Sequence, residues 1–195
     1  MKKPLGAVLL FLGAVPALCQ DRPAMDTPDP AAVGSKLKYF GLVDDGVYKG
    51  SAPTSDADYR LLQSLHVRYI VDLQILPWRS PLEQRKAKLY GITVLPGNMN
   101  ASPFPPSEKH IAKILAILRD ERYHPVYFHC RLGRDRTSVI AALYKMYFLG
   151  MPPQEAMQYL RELGYGFKYG WLRSGLTRYV KTHPTPPANL LSISP

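Results

Sequence analysis

Cysteine is scarce: the 195 residues hold two, Cys19 and Cys130. Two thiols cannot build the multi-bridge framework that holds many small secreted domains together. Clustered Lys/Arg runs and nucleic-acid-binding signatures are also missing, so no nucleic-acid partner is expected, even though the formal net charge is +10. A surplus of that size points to anionic partners without choosing among them. There is no internal repeat and no second composition zone, which leaves one domain. The histidines show no ligand spacing, so neither a metal site nor a cofactor is expected.

What is present begins with Lys2 and Lys3, then Leu5-Gly-Ala-Val-Leu-Leu-Phe-Leu-Gly-Ala-Val15 and Pro16-Ala-Leu18. A basic start, a short apolar core and small residues near its end describe a secretory signal peptide over residues 1–19. The stretch is too short and too early for a spanning helix. Ala17 and Cys19 then stand three and one residues before the cleavage point. A retained membrane anchor and lipid attachment at Cys19 are the alternatives, the second poorly served by Leu18. Secretion or periplasmic export is the expected location. Cleavage lowers the charge to +8, because two lysines and no acids depart, and leaves Cys130 as the single cysteine. A lone thiol in an oxidising compartment calls for a chemical role.

Residues 20–36 carry Pro23, Pro28, Pro30 and Gly34 and read as a flexible lead-in. The domain is drawn over 37–183, and the tail 184–195, opening Pro184-Thr-Pro-Pro187, is expected to be extended. Within the domain, helix and strand patterns mostly alternate. Short strands are predicted at Phe40–Val43 and Val47–Lys49 about the Asp44-Asp-Gly46 turn. Ser55 can cap a helix over Asp56–Leu65, with Asp56 and Asp58 suiting its positive end. Strands follow at Val67–Leu73, Ile92–Leu95 and Pro125–Phe128, with a helix over Pro81–Tyr90 closed by Gly91. Ser107 opens a helix with Ile111, Ile114, Leu115 and Leu118 on one stripe. Further helices are predicted over Thr137–Leu149, Gln154–Leu163 and Tyr169–Lys181. The pattern is α/β, a central mostly parallel sheet flanked by helices.

The strand ending at Phe128 runs into His129-Cys-Arg-Leu-Gly-Arg-Asp-Arg-Thr137 and then into an apolar helix. A glycine-containing loop at a helix N-terminus gathers backbone N–H donors and partial positive charge, which suits an anion. Cys130, first in that loop, has its thiolate favoured by the same field. Arg136 can return over the cradle and bind two phosphate oxygens with its planar fork. Phosphate binding is assigned to Arg131, Leu132, Gly133, Arg134, Asp135 and Arg136, with Gly133 supplying a conformation that a side chain resists. Thr137 lies where its hydroxyl can stabilise the sulfur as a leaving group. His129 is expected to orient the loop through its ring nitrogens rather than bind metal.

The string His-Cys-x-x-Gly-x-x-Arg-Thr between strand and helix resembles the signature loop of cysteine-dependent protein tyrosine and dual-specificity phosphatases. The resemblance extends from Gly46-Val-Tyr-Lys-Gly-Ser51 to the end of the helix after the loop. Pro96-Gly-Asn98 and His124-Pro125 are similar to the atypical dual-specificity group that includes plant and fungal enzymes acting on inositol pyrophosphates. The resemblance implies a protein tyrosine phosphatase-like fold. It also implies attack by Cys130 on phosphorus, a cysteinyl-phosphate and hydrolysis by water, with Arg136 and the loop amides stabilising the transferring group.

One departure stands out. Family members usually carry a general-acid aspartate on a separate loop, and the matching stretch here, 96–106, contains no Asp or Glu. Asp135 is the substitute: Asp135-Arg136-Thr137 is similar to the loop of phosphoinositide phosphatases such as myotubularins, where that aspartate has been proposed as the acid. The alternative is that Asp135 pairs with Arg136 or another base and stays ionised. Glu108 and Asp72 are weaker candidates. Arg131 and Arg134 tilt the expected substrate toward several phosphates, an inositol phosphate or phosphoinositide, unless they form an ordinary solvated face. Lys168, Arg173 and Arg178 can extend that rim, and a membrane surface enters through such a substrate. Tyr165, Phe167, Tyr169 and Trp171 read as packing residues. A phosphoprotein substrate and a phosphate-binding module without turnover are the competing readings.

Overall fold

The computed structural model describes residues 28–75, 79–99, 104, 106–163, 170–187 and 190. Strand β1 (Gly41–Asp44) turns at Asp45–Gly46 into β2 (Val47–Ser51), and α1 spans Asp56–Ser64. Then follow β3 (Tyr69–Asp72), α2 (Arg79–Lys88), β4 (Thr93–Pro96), α3 (Glu108–Arg119) and β5 (Val126–Cys130). The chain closes with α4 (Asp135–Phe148), α5 (Pro153–Glu162) and α6 (Gly170–Thr182). The sheet order is β1-β2-β5-β3-β4. The β1–β2 pair is antiparallel; β2–β5, β5–β3 and β3–β4 are parallel. This is the α/β arrangement that the alternating pattern predicts.

Successive residues of a strand point to opposite faces, and β5 shows what that does here. Val126, Phe128 and Cys130 join Val71 and Leu73 in a core packed by α3, α4, α5 and α6. Tyr127 joins Ile70, Val94 and Tyr48 in the second core, against α1 and Ala87 of α2. By that alternation His129 faces the α1–α2 layer while Cys130 faces α4. Helix α4 is apolar around most of its circumference because the sheet, α5 and α6 cover it: Thr137 to Tyr144 are all buried.

Several boundaries differ from the sequence reading. Helix α4 begins at Asp135 rather than Thr137, so Asp135 and Arg136 belong to its first turn, where an acid is favoured by the N-terminal field. Asp58 does more than sit at the positive end of α1. Buried at 1 % exposure, it accepts hydrogen bonds from the amides of Lys36, Thr54 and Ser55 and the hydroxyl of Ser35. In the described part of the lead-in read over 20–36, a 3₁₀ turn at Pro30–Val33 is capped by Asp29 and buries none of its residues, while Ser35 and Lys36 are tied to Asp58. Beyond residue 183, Leu190 is buried in the main core. The leader at 1–19, Lys168, Tyr165, Phe167, Tyr169 and the side chains of Trp171 and Arg173 lie outside the described residues. No helix among the described residues is long and apolar enough to cross a membrane.

Candidate active site

Strand β5 delivers Cys130 to the end of the parallel sheet, and the chain turns through residues 131–134 into α4. The turn is possible because Gly133 has φ +71° and because it has no side chain. A Cβ there would lie 2.5 Å from the Gly50 carbonyl carbon and the Ser51 nitrogen, both backbone atoms of β2. Gly133 therefore serves two needs, a left-handed backbone and close approach to the neighbouring strand. The Ala52 amide reaches the Arg131 carbonyl at 3.4 Å and ties the loop to the residues after β2.

Cys130 is buried, with 3 % of its surface exposed. Burial alone pushes a thiol up. The hydroxyl and amide of Thr137, the Arg136 charge and the Leu132 amide outweigh it, and the thiol ends below its ordinary range. The Cys130 amide donates to Thr137 Oγ1 at 2.8 Å, which leaves the hydroxyl proton of Thr137 to serve the sulfur. Arg136 is pinned through Nη1, which donates to the Leu73 carbonyl and the Met99 carbonyl at 3.2 Å each. Both acceptors follow from the sheet: Leu73 N donates to His129 O, and Met99 N donates to Leu73 O. A guanidinium has five N–H donors in a rigid fork, so two carbonyls on one nitrogen fix its plane and spare other donors for an anion.

Arg131 and Leu132 are exposed, and Arg134 and Asp135 are half-buried. Arg134 Nε lies 3.4 Å from Asp135 Oδ1. Asp72 and Glu108 go elsewhere. Asp72 lies on the His129 face of β3 and accepts the Gln74 amide at 2.9 Å, while Glu108 lies 3.8 Å from His183. Arg178 is exposed on α6. In the acid-free stretch 96–106, residues 100–103 and 105 lie outside the described set, and Phe104 is exposed.

His129 is fully buried and sits among groups that the sequence reading did not assemble. Its Nε2 is 2.7 Å from Glu83 Oε1, and its Nδ1 is 3.4 Å from the Cys130 carbonyl and 3.8 Å from Asp72 Oδ1. Burial disfavours the imidazolium, yet the Glu83 carboxylate, with help from Asp72 and Cys130, raises the pKa above the ordinary histidine value. Asp72 is itself pushed up by burial. One ring nitrogen of His129 and one carboxylate oxygen each of Asp72 and Glu83 lie within 4.8 Å of one another, a gathering for which sequence spacing gave no hint. Glu83 had one readable signal: it is the single acid of α2 and stands one turn before Ala87, which is fully buried.

Two cavities lie at opposite ends of the parallel strands. One, of about 330 Å³, is at the loop end and is walled by Ala52, Pro53, Thr54, Tyr59, Gln74, Leu82, Glu83 and Lys86. Its lysine is already engaged with Asp56 and the Thr54 carbonyl. A larger one, of about 630 Å³, lies at the opposite end of β5, beside Asp44, Asp45, Glu121 and Tyr144. Its lining mixes those three carboxylates with Arg119 and His124.

A helix-capped anion loop with a depressed thiol and a pinned arginine defines the class of cysteine-centred phosphate sites. The profile of the tyrosine phosphatase family matches residues 36–148, and the chain belongs to that family. It is 33 % identical over 123 residues to an inositol diphosphatase (DSP2) of Oryza sativa subsp. japonica, covering 60 % of this chain and 59 % of the relative. It is 27 % identical over 124 residues to the dual specificity protein phosphatase TpbA of Pseudomonas aeruginosa, covering 62 % and 52 %. The chain thus spans between half and two thirds of the length of these relatives. In structure it is similar to the Siw14 catalytic core (TM-score 0.60, 19 % identity, 74 % and 83 % of the two chains). It is also similar to TpbA solved in complex with phosphotyrosine (TM-score 0.59, 23 % identity, 79 % and 86 %). Those likenesses establish a phosphatase-like fold.

Proposed function

We propose that the chain is a cysteine-dependent phosphomonoester hydrolase whose substrates are inositol polyphosphates or phosphoinositide headgroups. The observation that carries the chemistry is the buried Cys130, drawn below its ordinary pKa by Thr137 and Arg136 at the start of α4. In the first step the Cys130 thiolate attacks phosphorus; the Sγ–P bond forms as the ester P–O bond breaks, and the departing oxygen takes a proton. Asp135 is the proposed donor. In the second step water attacks phosphorus and gives a proton back to the Asp135 carboxylate, the Sγ–P bond breaks, inorganic phosphate leaves, and the thiolate returns with Thr137 steadying it. Arg136 and the loop amides stabilise the equatorial oxygens throughout.

The substrate class is supported by two cations beside the cradle, exposed Arg131 and half-buried Arg134, since a single phosphate needs only Arg136 and the amides. The rice relative carries the name inositol diphosphatase. Phosphotyrosine in proteins is the second reading, favoured by the 330 Å³ cleft at the loop end and by the likeness to TpbA. The apolar N-terminal stretch supports export of the mature chain. The deciding experiment compares inositol hexakisphosphate, inositol pyrophosphates, phosphoinositides and phosphotyrosyl peptides as substrates, without added metal. Preference for the inositol compounds is expected, and lower on Arg131→Ala and Arg134→Ala. Preference for phosphotyrosyl peptides would move the assignment to the second reading.

A further inference from the structure

Both ring nitrogens of His129 face acceptors. Nε2 meets a Glu83 carboxylate oxygen at 2.7 Å, and Nδ1 lies near the Cys130 carbonyl and the Asp72 carboxylate oxygen that already accepts the Gln74 amide. A neutral imidazole carries one N–H and one lone pair, so one nitrogen would then oppose its lone pair to an acceptor. A doubly protonated ring satisfies both sides. The ring is fully buried, the Glu83 side chain is 8 % exposed, and the Tyr127 ring stacks on the imidazole at 5.8 Å. The Leu73 amide holds the His129 carbonyl at 2.8 Å. Glu83 from α2 and Asp72 from β3 are the carboxylates beside the ring, the Tyr127 phenol stacks on it, and Cys130 acts on it through charge from the other face of β5.

We propose that Glu83 is a positioning residue for the nucleophilic loop, holding His129 as an imidazolium directly behind the Cys130 peptide. The inference rests on the reading of Cys130 as nucleophile. Nδ1–H of the imidazolium points at the Cys130 carbonyl, so the ring lies between the Glu83 carboxylate, bound at the far nitrogen, and the residue that bears the thiolate. The Cys130 charge favours the imidazolium, and by reciprocity the imidazolium favours the thiolate. Removing the carboxylate lets the buried ring shed its proton, and the thiolate then loses a cation behind it. Glu83 also lines the cleft at the loop end, so packing of α2 and reactivity of the thiol are linked through one hydrogen bond.

The test measures the pH dependence of Cys130 alkylation by iodoacetamide in the folded full chain, which needs no substrate. Glu83→Gln is expected to move the alkylation midpoint up by about one unit. On an aryl phosphate at neutral pH it should lower kcat about tenfold while KM changes less, and Glu83→Asp should recover part of both. A midpoint that stays put or falls in folded Glu83→Gln would overturn the proposal. Should the variant not fold, nitrogen-15 shifts of His129 in the wild-type chain decide: a doubly protonated ring at neutral pH is expected, and a neutral tautomer would overturn it. Failure of Cys130 to alkylate faster than an ordinary thiol at neutral pH would instead strike at the nucleophile reading itself.

Discussion

His129 and Cys130 are neighbours in the chain and occupy opposite worlds in the fold. Cys130 faces α4, where a helix N-terminus, Thr137 and Arg136 supply donors and positive charge that favour an anion. His129 faces the α1–α2 layer, where Glu83 and Asp72 supply acceptors that favour a cation. One strand thus separates a site that collects negative charge from a site that collects positive charge, and the alternation of a β-strand is what separates them. The comparison teaches that the positive surroundings of Cys130 have a counterpart of opposite sign on the other face of the same strand. A motif read along the chain as one continuous string serves two layers of the protein.

The sharpest way to break this comparison is to remove the reacting atom. Cys130→Ser should fold and bind phosphate but abolish turnover, since an alcohol under the same field is not ionised; residual activity near that of the wild type in a phosphate-release assay would refute the mechanism. Next comes the geometry of the loop. Gly133→Ala places a Cβ 2.5 Å from the β2 backbone, and because rigid backbone cannot swing aside the loop must shift; a kcat loss of about 10²-fold is expected from a displacement near 1 Å.

A third test stays on the α1–α2 layer but avoids His129. Burial pushes the Asp58 carboxyl up, but four hydrogen bonds outweigh it and bring the pKa down to about 2. A carboxylate depressed in the folded state stabilises above its unfolded pKa near 4, and that contribution fades as pH falls toward the folded value. Asp58→Asn should therefore cost about 2.5 kcal/mol at neutral pH and progressively less below pH ~4, as followed by chemical unfolding. The alkylation midpoint of Cys130 should not move, in contrast to the effect expected at Glu83. The smallest effect concerns Asp135. Asp135→Asn should slow alkyl phosphates about tenfold more than aryl phosphates with good leaving groups, because only the former strongly need a proton donor. Equal losses on both would leave Asp135 as the partner of Arg134.

The pattern of the domain was readable because it follows local rules. Ile111, Ile114, Leu115 and Leu118 mark α3 by their spacing, and all four are buried. Ser55 was readable as the cap of α1, where it forms a capping box with Asp58, but the reach of Asp58 back to Ser35 and Lys36 was not, since it joins residues more than twenty positions apart. The loop from His129 to Thr137 could be read as a candidate anion site because its donors come from one contiguous segment. The two carbonyls that pin Arg136 were invisible for the opposite reason: backbone atoms of Leu73 and Met99 carry no residue-type signal. Glu83 had only the faint mark of a lone acid among basic residues on a helix.

By itself, then, the sequence determined the class of chemistry, a thiol and an arginine gathered by one loop between a strand and a helix. It could do so because loop amides, helix field and nucleophile lie within eight residues. Only the tertiary structure decided what stands behind that loop. The parallel pairing of β3 with β5 sets Asp72 beside His129, and α2 packed on the same face brings in Glu83 from 46 residues away. Burial makes that encounter matter: inside the fold, away from water, a carboxylate and an imidazole set each other's charge, and along the chain they are strangers.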